Sequence, residues 1–353
     1  MRFSCVDAFS GAGGLSLGLH QAGFDVRLSF DFDSLSIETQ KLNGRYFSPS
    51  HIPLAASIQE MLGGNLLKRL GLKRGDLALL AGGPPCQGFS IQRIGEDDDK
   101  RNDLVHSFIK LVEEIFPRFF LMENVPGLLG QRGKETYQAA TKMAAKLGYF
   151  VHAQILDAAD FGVPQRRRRV FVVGERIDSG LERFEFPIPN TPENSRIPVR
   201  KVISHLPIPP MDGSDHPMFM GHRRDRVSAL NMRRLKALGP GQDRQNLPAS
   251  LLADCHKQDA SVIGHRHVYG RMSWDEVAPT ITARFDSFTR GQFAHPEQNR
   301  TISLREGALL QTFPEDYIFA GNKVDIARQI GNAVPPTLAK SLGRQILKAL
   351  KSR

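Results

Sequence analysis

Cysteine is scarce in this chain. Cys5, Cys86 and Cys255 stand far apart in 353 residues, and none belongs to a C-x-x-C pair. That spacing excludes a disulfide framework and a cysteine-based zinc site, and no metal is expected. No apolar run approaches the roughly 20 residues that a membrane-crossing helix needs. The opening MRFSCVDAFS also lacks the long apolar segment and cleavage site of a secretory signal. The expected setting is the cytoplasm, with reduced thiols and no membrane contact. Internal repeats and low-complexity tracts are absent too. Acidic residues are outnumbered: 37 Asp and Glu face 47 Lys and Arg, for a net charge of +10. The isoelectric point is near 9.7. A basic surplus favours a polyanionic partner, because Lys and Arg neutralise phosphates and release counterions. The remaining composition is that of an ordinary globular chain, long enough for one large domain with a smaller one beside it.

What is present is an alternation of strand-like and helix-like pieces up to about residue 175. SCVDAF, FDVRLSFDFD, DLALLAGG, PRFFLMENV, YFVHAQILDA and RRVFVVGE read as strands. LSLGLHQAG, SLSIETQKLN, LVHSFIKLVEEIF and KETYQAATKMAAKLG carry apolar residues at helical spacing between them. This order predicts an α/β fold, a Rossmann-like doubly wound sheet whose ligands sit beyond the carboxyl ends of its strands. Past Pro187 the texture turns proline-rich and irregular. Residues 187–266 hold twelve Lys and Arg against seven Asp and Glu, half of the whole surplus. A smaller basic domain is expected there, and the tail PTLAKSLGRQILKALKS reads as an amphipathic helix that packs back on the first domain.

Four stretches carry candidate chemistry. DAFSGAGGLSLGL ends a strand in a glycine turn that opens a helix, which suits close approach of a ligand to backbone N–H groups. Its Gly11-x-Gly13-Gly14 spacing is not the dinucleotide G-x-G-x-x-G, which argues against a nicotinamide enzyme. Asp31 and Asp33 end the next strand, where a carboxylate can accept from a ribose diol. GGPPCQGFS sets Cys86 on a stiff Pro84-Pro85 step at a strand end, as an aimed nucleophile requires. The plain alternative is a buried inert thiol. Glu123 in ENVPGLL follows a strand and could serve as a general acid. In FGVPQRRRRVFVVG, alternation along a strand points Arg167 and Arg169 to one face and Arg166 and Arg168 to the other.

In this order, DAFSGAGG, GGPPCQGFS, ENVPGLL, QRRRRV and RQIGNAVPP resemble the DNA (cytosine-5)-methyltransferases, prokaryotic modification enzymes. The likeness spans the chain from its start to about Glu175 and resumes from about Tyr269. It implies residues 1–186 as the first part of a catalytic and S-adenosylmethionine-binding domain. Residues 187–268 would form a target-recognition domain, and 269–353 a C-terminal part whose last helix returns to the catalytic domain. It also implies that the Cys86 thiolate attacks C6 of a cytosine flipped out of a specific DNA duplex. C5 then takes the methyl group of S-adenosylmethionine. Glu123 would act on N3, Arg169 hold O2, and Arg167 support the site.

For the cofactor the resemblance implies Phe9, Gly11, Ala12, Gly14, Asp31, Phe32, Ile58, Pro85, Leu104 and Asn332. Where the family often carries Asp before Ile, this chain has Ser57-Ile58, a hydroxyl in place of a charge. The segment after Cys86 corresponds to the loop that closes over DNA, with Ser90 and Gln92 as DNA contacts beside Gln165. Arg223, Arg224, Arg233, Arg234 and Arg244 are the basic candidates for the DNA groove. A monomer is expected, and a separately acting restriction endonuclease stays open as a partner. Three other readings stand beside this one: methylation of cytosine in RNA, a non-catalytic DNA-binding homologue, and a nucleotide-dependent oxidoreductase. Intact Cys86, Glu123 and Arg169 count against the second, and the glycine spacing against the third.

Overall fold

A computed structural model of the chain describes residues 3–85, 103–177, 184–253 and 268–352. Cys86, Ser90 and Gln92 lie outside them. Two compact units emerge. Unit 1 comprises Met1–Phe161, Arg168–Asn190 and Ala333–Arg353; unit 2 comprises Gly162–Arg167 and Thr191–Asn332.

Unit 1 is built on seven strands: β1 Ser4–Ala8, β2 Asp25–Asp31, β3 Ile52–Ala55, β4 Leu79–Gly82, β5 Phe119–Asn124, β6 Tyr149–Asp157 and β7 Arg168–Arg176. Their order across the sheet is β3-β2-β1-β4-β5-β7-β6. The first five are mutually parallel, whereas β7 runs antiparallel to both β5 and β6. Strands β4 and β5 are covered on both faces, so nearly every residue of LLAG and FFLMEN is buried and the sequence reads as a continuous apolar run. β3 breaks that pattern. It is a short edge strand carrying Pro53, and proline is tolerated there because an edge needs no second row of N–H donors. No strand was expected at this position from the sequence.

Helices α1 Gly14–Ala22, α2 Ser34–Leu42, α3 Ile58–Met61, α4 Asn65–Leu70, α5 Asp103–Ile115 and α6 Lys134–Lys146 connect these strands. Val105, Phe108, Ile109, Val112 and Ile115 recur every three or four residues of α5 and are buried in the main core with Phe120, Val170 and Val172. Chain order runs outward from β1 through β2 to β3, then returns to β4 on the other side of β1. Ligand crevices form at such reversals, beyond the carboxyl ends of the strands that flank them.

Unit 2 holds α7 Arg200–Ile203, α8 Ala229–Ala237, α9 Leu304–Leu310 and α10 Lys323–Asn332. Among its described residues extended pairing is limited to isolated bridges such as Arg271↔Ala294. Loop carbonyls must then find other donors, since a buried unpaired backbone group is costly. Buried arginines supply them. Arg271 donates to the carbonyl oxygens of Leu235, Leu238, His295 and Gln298 and to Asn299 Oδ1, at 2.6 to 2.9 Å. Arg300 makes two 2.7 Å bonds to the Glu306 carboxylate. Burial alone would raise the Glu306 pKa, but Arg300 outweighs it and holds the carboxyl at about 2. Arg305 donates twice to the Met220 carbonyl.

The terminal helix α11, Pro336–Lys351, belongs to unit 1. Leu338, Leu342, Ile346 and Leu350 form its buried stripe, and it packs against α1. Gly18 makes this close approach possible: a Cβ there would run into the Ala339 side chain and the Pro336 carbonyl. Gly18→Ala should therefore cost about 1–3 kcal/mol by overpacking. A melting temperature several degrees below wild type by differential scanning fluorimetry is the expected result.

Candidate active site

The carboxyl edge of β1 opens into residues 9–14. Phe9 adopts φ +56°, Gly11 φ +50° and Gly13 φ +85°. Glycine accepts such angles freely, whereas Phe9 is a rare non-glycine in this region, held there by its surroundings. A Cβ on Gly11 would meet nothing within 4 Å, so the space before the turn is open. Asp31 spans from the end of β2. Its Oδ2 accepts the Gly11 N–H and its Oδ1 the Asp33 N–H, both at 2.9 Å. Phe32 projects an aromatic ring that is 76% exposed.

Next in the sheet, β4 ends at Gly82, opposite Ala8 of β1. A Cβ on Gly82 would lie 2.8 Å from the Ala8 carbonyl oxygen, and one on Gly83 would lie 3.3 Å from Glu123 Oε2. Asn124 Nδ2 donates to the Pro84 carbonyl at 3.1 Å. The turn that leads into Cys86 is thus packed on β1 and tied to the end of β5.

Glu123 is the penultimate residue of β5. Because β7 runs antiparallel beside it, with Asn124 opposite Val170, the start of β7 arrives at the edge where β5 ends. Arg169 Nε consequently lies 3.1 Å from Glu123 Oε1, with both side chains mostly buried. Arg169 also donates to the Arg168 carbonyl through Nη1. Within unit 1, the glycine turn, the Gly82–Gly83–Pro84–Pro85 turn and the Glu123–Arg169 pair share one sheet edge.

The other candidates divide sharply. Ala12, Gly14 and Ile58 are buried, Leu104 and Pro85 are partly exposed, and Asn332, at the end of α10 in unit 2, is exposed. Ser57 caps α3. Its hydroxyl donates to Glu60 Oε2 at 2.7 Å and accepts from the Glu60 N–H. Gln165, in unit 2, is turned inward and fully buried. Its Nε2 donates to the Leu310 carbonyl and Gln311 Oε1, while its Oε1 accepts the Ile281 N–H. Arg167 is equally buried and donates to the Ile281 carbonyl at 3.1 Å. Among the basic candidates, Arg233 is exposed and Arg223 and Arg224 are partly so. Arg234 and Arg244 are buried, Arg234 donating to the Leu251 carbonyl and lying over the Tyr269 ring. No group of three or more metal-ligating side chains occurs among the described residues.

Sequence reading missed Asp7, the first residue of the glycine motif. It is fully buried, accepts the Ser16 hydroxyl at 2.5 Å on Oδ2, and leaves Oδ1 without a hydrogen-bond partner. Burial pushes its pKa up to about 7, against the lowering effect of the Ser16 hydroxyl and N–H. A single charged letter in an otherwise uncharged strand was the available signal.

The family pattern described as C-5 cytosine-specific DNA methylase matches residues 3–348. The chain is 34% identical over 351 residues to the Type II methyltransferase M1.HphI of Haemophilus parahaemolyticus, covering 99% of this chain and 87% of that one. It is 36% identical over 350 residues to the Type II methylase M.HgiDII of Herpetosiphon aurantiacus, covering 98% and 94%. A prophage-encoded E. coli protein described as a DNA modification methyltransferase superposes with a TM-score of 0.72 at 26% identity, covering 99% of this chain and all of that one. The S. pombe Dnmt2 structure shares the fold, with a TM-score of 0.62 at 17% identity over 99% of each chain.

The Asp7 carboxyl has a testable consequence. Its native pKa lies above the unfolded value of 3.8, so the stability it contributes is complete below about pH 4 and is lost as pH rises through 7. Asp7→Asn removes that loss. Between about pH 5.5 and about pH 8.5 the wild-type melting temperature should fall several degrees further than the variant's, measured by thermal melts at matched ionic strength.

Proposed function

Because the chain belongs to the C-5 cytosine-specific DNA methylase family, we propose that it methylates C5 of a cytosine flipped out of one short duplex sequence, through a covalent bond between Cys86 and C6. The enzymes of this family are DNA cytosine-5 methyltransferases that use S-adenosylmethionine, and two relatives reported above are a Type II methyltransferase and a Type II methylase. The observation that carries the residue-level reading is the Glu123–Arg169 pair, an acid and a cation 3.1 Å apart at the edge where the turn before Cys86 ends.

Fit to S-adenosylmethionine rests on the turn itself. Gly11 faces open space, Asp31 fixes its N–H from one side, and the exposed Phe32 ring stands beside that carboxylate. Phe9, Gly11, Asp31, Phe32 and Pro85 would hold the bound molecule. Ala12, Gly14 and Ile58 would shape its pocket from within, and Leu104 would border it; Asn332, in unit 2, is the remaining candidate that the resemblance implies. When bound, S-adenosylmethionine supplies an electrophilic methyl group on a sulfonium.

The chain's own residues do the rest. Cys86, aimed by Pro84-Pro85, adds as the thiolate to C6, which makes C5 nucleophilic. Loss of the C5 proton and of the thiolate afterwards restores the aromatic ring. Arg169 anchors O2 of the base. Glu123 protonates or hydrogen-bonds N3, so negative charge does not accumulate on the ring. Arg167, which donates to the Ile281 carbonyl within unit 2, would support the site as the resemblance implies. Ser57 serves as a helix cap, so the adenine contact there is a neutral one.

Of the five basic candidates, Arg233 is exposed and Arg223 and Arg224 are partly so, which would make them available to DNA, while Arg234 and Arg244 are buried in the framework. Gln165 has its amide engaged by Leu310, Gln311 and Ile281 within unit 2. Flipping the base costs a few kcal/mol, which contacts from this region and from the segment after Cys86, including Ser90 and Gln92, would offset.

Bisulfite sequencing of DNA from cells expressing the chain should reveal methylated cytosines within one short sequence, and Cys86→Ala should abolish them. A duplex carrying 5-fluorocytosine, which cannot lose a C5 proton, should trap wild type but not Cys86→Ala in a denaturation-resistant complex. Glu123→Gln should lower kcat by roughly 10²–10⁴-fold. Full activity in Cys86→Ala would sink the covalent mechanism, and an unchanged rate in Glu123→Gln would remove the acid.

A further inference from the structure

Behind the glycine turn of unit 1 runs a buried hydrogen-bond chain with no part in the chemistry above. Gln40, on α2, is fully buried and sets its carboxamide against the turn. The Gly11 carbonyl can only accept, so the group facing it at 2.7 Å is the Gln40 NH2, which also donates to Ser10 Oγ at 2.9 Å. The amide orientation is thereby fixed, and Gln40 Oε1 faces Ser29 Oγ at 2.6 Å. That oxygen accepts the only proton the Ser29 hydroxyl has. Ser29 Oγ also lies 2.8 Å from His51 Nε2, where it must therefore accept, which assigns the His51 proton to Nε2. Burial, followed by the neighbouring His20, holds the His51 ring neutral, with its pKa down at about 4. Donation runs one way, from His51 through Ser29 and Gln40 to Ser10 and Gly11.

We infer that Gln40 is a positioning residue for the cofactor turn, acting at the end of a one-way relay from His51 and Ser29. Gly11 is pinned on both sides. Asp31 takes the N–H of the peptide before it, and Gln40 takes the C=O of the peptide after it. Those two bonds fix the φ of +50° that opens the turn toward solvent. The stem of Gln40 packs there as well, since a Cβ on Gly13 would lie 3.0 Å from Gln40 Cγ. A side chain that satisfies three buried polar groups at once has one geometry to offer, and the turn inherits it.

This inference rests on the reading of the turn as the S-adenosylmethionine site. Its test measures binding of S-adenosyl-L-homocysteine by calorimetry, together with KM for S-adenosylmethionine, KM for DNA and kcat. Gln40→Leu removes every link at nearly constant volume, and Gln40→Glu keeps the acceptor for Ser29 but no donor for Gly11. Each should weaken binding about tenfold or more. KM for S-adenosylmethionine should rise in parallel, while kcat at saturation and KM for DNA stay within about twofold. Ser29→Ala, which cuts the relay upstream, should weaken binding by a smaller factor of about two to five. Val112→Ala, a core cavity on α5, should lower the melting temperature and leave binding unchanged, which separates positioning from general loss of stability.

If wild type binds S-adenosyl-L-homocysteine and Gln40→Leu binds it equally well, the relay is overturned and the methyltransferase reading stands. If wild type shows no binding, the cofactor reading fails and the relay falls with it. Should both Gln40 variants fail to fold, Ser29→Ala decides: wild-type affinity in that variant overturns the relay.

Discussion

The antiparallel insertion of β7 between β5 and β6 is the constraint on which the candidate site rests. A parallel strand in that place would bring its own carboxyl end to the edge where β1, β4 and β5 stop. Reversal brings the start of β7 there instead, so Arg169 reaches Glu123. The strand itself, VFVVG, is an ordinary buried run whose burial against β5 and β6 holds the register. Slipping it by one residue would turn Arg169 to the opposite face, as happens to every side chain in a slipped strand. Catalytic geometry is in this sense a by-product of core packing several residues away.

Unit 2 solves a different problem. With few ladders among its described residues, it meets the needs of buried loop carbonyls through guanidinium groups, each of which offers five donors in a rigid fork. Arg271, Arg300 and Arg305 are so deeply engaged that their charges are unavailable to any partner. A basic composition therefore overstates the basic surface. Part of the surplus in residues 187–266 is internal scaffolding, as Arg234 and Arg244 show.

Much of unit 1 was legible in the sequence because burial on both faces leaves an unbroken apolar run, as in β4 and β5. Strand β3 was not, since IPLA is short, half-exposed and carries a proline. Side-chain alternation paired Arg167 with Arg169 on one face, but β7 begins at Arg168, so only Arg169 takes its direction from the strand and meets Glu123, while Arg167 turns to the Ile281 carbonyl. Gln165 was harder: nothing in its own letter or its neighbours says whether the amide faces out or in, and the structure turns it toward Ile281 and Leu310. Adjacent arginines on α8 make the same point. A step of about 100° per residue leaves Arg233 in solvent and buries Arg234. Asp7 and Gln40 were overlooked because their partners lie 9 and 29 or 30 positions away, where only the folded chain brings them together.

The acceptors gathered by Arg271 belong to two stretches, 235–238 and 295–299, with the guanidinium itself between them in sequence. Such a knot fixes where the chain must return, while leaving open how far it wanders in between. Segments that contribute no carbonyl to the knot can be exchanged or lengthened at little thermodynamic cost, because loop-closure entropy grows slowly with length. A surface supported this way is modular: its outer loops can be replaced during evolution without renegotiating the framework that holds them.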